Sequence, residues 1–125
     1  MKIVVDTSIL IDFSRTGTGS FKGLIKGVKE NKFELYASTV SMVEFWAGRS
    51  MENKTKVKEA ENIFSRIILV SLDEKISKKA GGLIRKQQTF GFDAIIATTA
   101  LEIGAQVATS NTKHFYKIKG LKLYS

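Results

Sequence analysis

The chain contains no cysteine, no proline, one histidine and one tryptophan. Without cysteine there are no disulfides, no thiolate nucleophile and no cysteine-ligated zinc, which agrees with a reducing compartment. The lone histidine, His114, excludes phosphodiester hydrolysis by a two-histidine acid–base pair within the chain. The lack of proline removes the usual turn markers. No apolar run approaches the roughly 18 residues needed to cross a bilayer. Met1-Lys2-Ile3-Val4-Val5-Asp6 meets a charge too soon for a secretory signal. Neither a Gly-x-x-x-x-Gly-Lys-Ser/Thr loop nor a Gly-x-Gly-x-x-Gly fingerprint is present to bind a nucleotide. These absences lead us to expect a cytoplasmic protein with no membrane partner.

Acidic residues are also scarce. Twelve Asp and Glu stand against twenty Lys and Arg, for a formal charge of +8. The lysines are spread along the chain (Lys22, Lys26, Lys29, Lys54, Lys56, Lys58, Lys78, Lys79, Lys113, Lys117) and form no compact tail. Such a balance suits a polyanionic partner, with nucleic acid favoured over anionic lipid or an acidic protein. The plainer reading is a solvated lysine-rich surface. The 125 residues, 43% of them hydrophobic, are enough for one core and short for two, so a single domain over residues 1–125 is expected.

Hydrophobic periodicity alternates between strand and helix. Lys2 to Val5 reads as a strand, and Thr7-Ser8 leads into an apolar helix. After the loop at Thr16 to Ser20, the spacing of Phe21, Leu24, Ile25 and Val28 predicts an amphipathic helix. Glu34 to Ala37 is a second strand, and Ser38-Thr39 caps a helix that ends near Gly48. Lys54 to Arg66 is another helix, Ile67 to Val70 a buried β-branched strand, and Asp73 to Phe90 one long helix. Phe92 to Leu101 is apolar around most of its circumference and reads as a buried helix stopped by Gly104. Gln106 to Thr109 is a strand, Asn111 to Phe115 a short helix, and Leu121 to Tyr124 a last strand. Strands separated by helices throughout imply an α/β fold with a central parallel sheet covered on both faces. Ligand sites in such sheets lie at the C-terminal ends of the strands.

With no histidine pair and no cysteine, carboxylates are the remaining groups able to support phosphodiester chemistry, through a hard cation such as Mg²⁺ or Mn²⁺. Most acids here have polar neighbours. Three do not: Asp6 follows Ile-Val-Val, Glu44 lies in Met-Val-Glu-Phe-Trp, and Asp93 stands between Phe92 and Ala-Ile-Ile. An acid in apolar sequence is costly to bury unless paired or bound to a cation. Glu102 lies nine residues after Asp93, on the opposite face of the same helix, and is excluded. Each acid also has a purely structural explanation. Asp6 and Asp93 could cap helices, and Ser41-Met-Val-Glu44 matches a capping box in the first turn of its helix. Asn111 reads better as a cap than as a ligand, His114 as a structural or surface residue, and Trp46 and the phenylalanines as core. The functional case therefore rests on convergence of the three acids, with Asn111, at one sheet edge within a basic surface.

Asp6 to Ile11 (Asp-Thr-Ser-Ile-Leu-Ile), Glu44 followed by Gly48, Phe92 to Ala97 with the following Thr-Ala-Leu-Glu, and Thr109-Ser110-Asn111 leading to His114-Phe115 resemble the ordered motifs of PIN domains. The likeness is greatest to VapC-type toxins of toxin–antitoxin pairs and runs from residue 3 to about 117. It implies a three-layer α/β/α domain, Mg²⁺- or Mn²⁺-dependent endoribonuclease activity, a homodimer and inhibition by a cognate VapB-type antitoxin. Asp6, Glu44 and Asp93 fall on the family's acidic positions and Asn111 on a fourth, where an acid or an amide occurs. The implied roles are Asp6 and Asp93 as metal ligands, Glu44 orienting or deprotonating the attacking water, Ser8 and Asn111 positioning water or phosphate, and Lys113 among the lysines on the RNA backbone. A phosphoacceptor receiver domain fits poorly, because Ser71-Leu72 intervene between the Ile67–Val70 run and Asp73. A non-catalytic RNA-binding or interaction module of the same fold is opposed by the intact set of three acids.

Overall fold

Ile3, Val4 and Val5 are wholly buried, yet they divide between two cores: Ile3 and Val5 pack on one face of the sheet and Val4 on the other. This is the period-two alternation of a strand with no solvent face, which is why its sequence reads as a continuous apolar run. The computed structural model describes residues 1–124. Its strands are β1 (Lys2–Val5), β2 (Glu34–Ser38), β3 (Ile68–Val70) and β4 (Gln106–Ala108), all parallel, in the order β3-β2-β1-β4. The helices are α1 (Thr7–Thr16), α2 (Ser20–Lys29), α3 (Thr39–Trp46), α4 (Lys54–Phe64), α5 (Glu74–Arg85) and α6 (Phe92–Ile103), with 3₁₀ turns at Arg49–Glu52 and Thr112–His114.

One core is built from Ile9, Leu10, Phe21, Leu24, Phe45, Ile63 and Phe64 of α1 to α4 against Ile3, Val5 and Leu35. The other sets Ile96, Ala97 and Ala100 of α6, with Leu83 of α5, against Val4 and Val107. Alanines at the contact let α6 approach the sheet closely, and the three-layer α/β/α arrangement follows. Among the described residues, no helix is long and apolar enough to cross a membrane.

Several boundaries differ from the sequence reading. β3 is an edge strand, and Ile68 and Leu69 are 52% and 39% exposed. A β-branched run specifies a strand but not how many neighbours it will have. The helix expected to reach Phe90 stops at Arg85, where Gln87 adopts φ +57° and the Gln87 and Gln88 N–H groups donate to the Ile84 and Leu83 carbonyls. This left-handed ending usually takes glycine, and a glutamine there carries no stop signal. The α3 cap is Ser38, as its sequence suggests, and its hydroxyl accepts the Val40 N–H at 3.1 Å. Ser41 is buried within the helix, so there is no capping box, and Glu44 lies in the second turn instead of the first. The terminal strand is reduced to one parallel bridge, Val107 with Leu123. Phe90 and Phe92 are exposed instead of core.

The sheet order brings two strand ends together. Val5 is in register with Ala108, and the Asp6 N–H donates to the Ala108 carbonyl at 2.9 Å. Asp6 and Thr109, 103 residues apart in sequence, thereby leave the sheet side by side.

Candidate active site

Asp6 occupies the N-cap position of α1 in an extended conformation, but its side chain makes no capping hydrogen bond. Its Oδ2 instead accepts the hydroxyls of Thr109 at 2.6 Å and Ser8 at 2.9 Å. The carboxylate is 4% exposed, and among the described residues no Lys, Arg or His forms an ion pair with it. Ser8 also accepts the Ser110 N–H at 3.1 Å, the Thr109 hydroxyl accepts the Asn111 N–H at 2.9 Å, and the Ser110 hydroxyl donates to Asp12 at 2.9 Å. Residues 109–111 are thus pinned to the β1–α1 turn.

The other two acids approach from the sides. Glu44, on α3, accepts the Thr7 hydroxyl at 2.7 Å. Burial raises its carboxyl above the ordinary value of 4.5; the Thr7 bond opposes this, and the charges of Asp6 and then Asp93 add to it. Asp93 lies in the first turn of α6, two residues beyond the Gly91 cap. Burial raises it above 3.8 and the Asp6 charge adds, against a hydrogen bond and charge from His114, whose Nδ1 is 2.8 Å from Asp93 Oδ2. Asp6, directly after β1, thus acts on both Glu44 of α3 and Asp93 of α6. Asn111 opens the Thr112–His114 turn without a side-chain capping bond. Lys113 lies farther out, on an exposed cleft that also includes His114.

Glu44 lines a cleft of about 400 Å³ together with Arg15, Arg49 and Lys56, so cations border Glu44. A larger cleft of about 590 Å³, lined by Phe13, Phe21 and Ile25 with several basic residues, includes none of the three acids. Glu102 belongs elsewhere too, paired with Lys75 at 3.0 Å and with Lys79, both from α5.

The donor chemistry fits a hard divalent cation. Every candidate ligand is oxygen, and the buried Asp6 carboxyl accepts two neutral hydroxyls and, among the described residues, has no basic partner. Among the described residues, no three His, Asp or Glu side chains form a ready-made cage. Sequence reasoning passed over Thr7 and Thr109 as partners of the acids, and assigned His114 no place at the site. Their positions, directly after Asp6, directly after β4 and in the turn that follows, were the available signal.

A four-stranded parallel sheet flanked by helices, with Asp6 and Thr109 side by side at the C-terminal ends of β1 and β4, places the chain among three-layer α/β/α proteins whose candidate site lies at that edge. The PIN domain profile matches residues 3–121, and the chain belongs to the PIN-domain family. It is 34% identical to ribonuclease VapC1 of Methanocaldococcus jannaschii, over 98% of this chain and 87% of that protein. It is 27% identical to ribonuclease VapC19 of Mycobacterium tuberculosis, over 90% of each. Among solved structures, VapBC2 from Rickettsia felis bound to a promoter DNA fragment superposes with a TM-score of 0.83 at 22% identity, covering 99% of this chain and 98% of that one. VapBC-1 from nontypeable Haemophilus influenzae gives 0.77 at 22% identity, covering 100% and 98%. These structures show the fold.

Proposed function

We propose that this chain is a Mg²⁺-dependent endoribonuclease, with Mn²⁺ able to substitute, and the toxin of a toxin–antitoxin pair. The observation that carries the reading is the buried Asp6 carboxyl at the C-terminal edge of the sheet, held by the Thr109 and Ser8 hydroxyls and without a basic partner among the described residues, with Glu44 of α3 bonded to the adjoining Thr7 and Asp93 in the first turn of α6. The relatives named ribonucleases support the reaction, and the basic surface supports the substrate. Asp6 and Asp93 are the residues that would hold the ion. Bound there, it would neutralise phosphate charge and lower the pKa of a bound water. Glu44, with its affinity for protons raised, orients or deprotonates the attacking water. Ser8 and Thr109 fix the Asp6 carboxylate. Asn111 lends a neutral oxygen or amide to water or phosphate, and Lys113 holds the RNA backbone, which supplies affinity without reading sequence. Incubation of the purified protein with a mixed RNA pool should give internal cleavage with Mg²⁺ and none with EDTA. Cleavage undiminished by EDTA would overturn the metal-dependent reading.

The same proposal includes a single domain, a homodimer in the cytoplasm and a VapB-type antitoxin; the antitoxin is supported by structural neighbours whose names are VapBC2 and VapBC-1. An inhibitor could place an arginine or lysine among the three carboxylates or cover the surrounding lysines with acidic residues. Co-expression with the product of the adjacent reading frame should yield a complex that survives size-exclusion chromatography and leaves RNA uncut. Separate elution with full activity would remove the toxin assignment and leave the nuclease assignment standing.

A further inference from the structure

Beside Asp93 lies a third cleft, of about 440 Å³, lined by Gln87, Gln88, Thr89, Phe90, Lys113, His114, Tyr116 and Lys117. His114 joins the two sites. It lines this cleft while its Nδ1 contacts Asp93, and its ring centroid is 6.0 Å from that of Phe90. Phe90 and Tyr116 are 68% and 67% exposed, so neither is a core residue. Lys113 and Lys117 are exposed alongside them. Thr89 is 6% exposed and its hydroxyl has no hydrogen-bond partner among the described residues. Gln87 holds a left-handed backbone conformation, φ +57°, that glycine would adopt without strain.

Exposed aromatic rings, amides and cations next to a phosphodiester-cleaving centre are the chemistry that binds unpaired bases. A base stacks on an aromatic face, an amide supplies a paired donor and acceptor to the base edge, and lysines take the flanking phosphates. We infer that this cleft is a nucleobase subsite, in which one unpaired base of single-stranded RNA stacks on Phe90 while the neighbouring phosphate lies among the acids. The inference rests on the ribonuclease reading and adds to it the element that selects where the strand is cut. Its position, next to Asp93 by way of His114, ties the chosen base to the scissile phosphate.

The test uses the Asp6→Asn protein and fluorescently labelled single-stranded RNA carrying one abasic nucleotide, placed in turn at each position around the cleavage point. One abasic position should weaken binding about tenfold. Adding Phe90→Ala to the Asp6→Asn protein should weaken intact RNA by a similar factor and make that abasic position harmless. In otherwise unaltered enzyme, Phe90→Ala should still cut RNA but lose base preference at that position when fragment ends are sequenced. Because Phe90 is exposed, the substitution should leave the melting temperature unchanged, which is checked alongside. If Phe90→Ala matches the parent in affinity, abasic sensitivity and cleavage preference, the subsite is overturned while the nuclease stands. If it alters only the sedimentation of the protein, the aromatic patch joins copies of the chain and the subsite is likewise overturned. If wild-type protein neither binds nor cuts RNA, the ribonuclease reading falls and takes the subsite with it.

Discussion

Asp6→Asn and Asp93→Asn should each reduce Mg²⁺-dependent RNA cleavage on the order of a thousandfold, while the metal-free protein stays at least as stable as wild type. The size follows from the several kcal/mol that a correctly held cation contributes to a phosphoryl transition state, at 1.36 kcal/mol per tenfold in rate. Replacing carboxylate by amide removes a full charge from the ion's surroundings. Stability should hold for reasons visible in the structure. Asp6 makes no capping bond to lose, and an asparagine carbonyl can still accept the Ser8 and Thr109 hydroxyls. Asp93→Asn weakens the link to His114 but removes repulsion with Asp6. Thermal melting supplies a second readout. Mg²⁺ at a hundred times its Kd should stabilise wild type by about 2.7 kcal/mol, roughly 10 °C for a domain of this size, and the variants much less. Wild-type cleavage with an undiminished Mg²⁺ shift in both variants would show that these acids are structural.

Glu44→Gln should abolish cleavage as well, yet raise the melting temperature of the metal-free protein near neutral pH by about 2–5 °C. Glu44 has its carboxyl raised in the folded state, by burial first and then by the Asp6 and Asp93 charges, despite the Thr7 hydrogen bond. A raised carboxyl means the folded state holds a proton that the unfolded chain has released. Wild-type stability therefore falls as pH rises from the unfolded value, near 4.5, through the higher folded value. The variant has no such proton to lose and keeps an oxygen to accept from Thr7. Its advantage should be absent below about pH 4.5, grow through the window above it and then level off. Melting curves in EDTA from pH 4 to 8 measure this directly. A variant less stable than wild type at pH 7 would mean that the Thr7–Glu44 contact outweighs the burial of the charge.

Much of the fold was legible because it depends on local order. The apolar run before Asp6, the helical spacing of Phe21, Leu24 and Val28, and the all-round apolarity of residues 94–101 each reflect how one element meets a core. The misses have a common physical origin. Ile67 to Val70 reads as buried because β-branched composition does not say whether a strand has one neighbour or two, and β3 has one. The helix after Asp73 was overextended because its stop is a glutamine in a conformation usually given to glycine. The Ser41–Glu44 spacing mimicked a capping box inside a helix whose true cap, Ser38, was itself read from the sequence.

The sequence by itself determined the element types, the parallel α/β class and the three acids set in apolar surroundings, because hydrophobic period and the cost of burying charge are local properties. Only the tertiary structure decided what those acids meet. The pairing of β1 with β4 sets Thr109 against Asp6 across 103 positions. The packing of α1, α3 and α6 sets Thr7 on Glu44 and lets the Asp6 charge act on Glu44 and Asp93, and the turn after β4 swings His114 onto Asp93. Strand order and helix packing are set by how the whole chain buries its apolar surface, so contacts between distant side chains have no signature in any window of sequence.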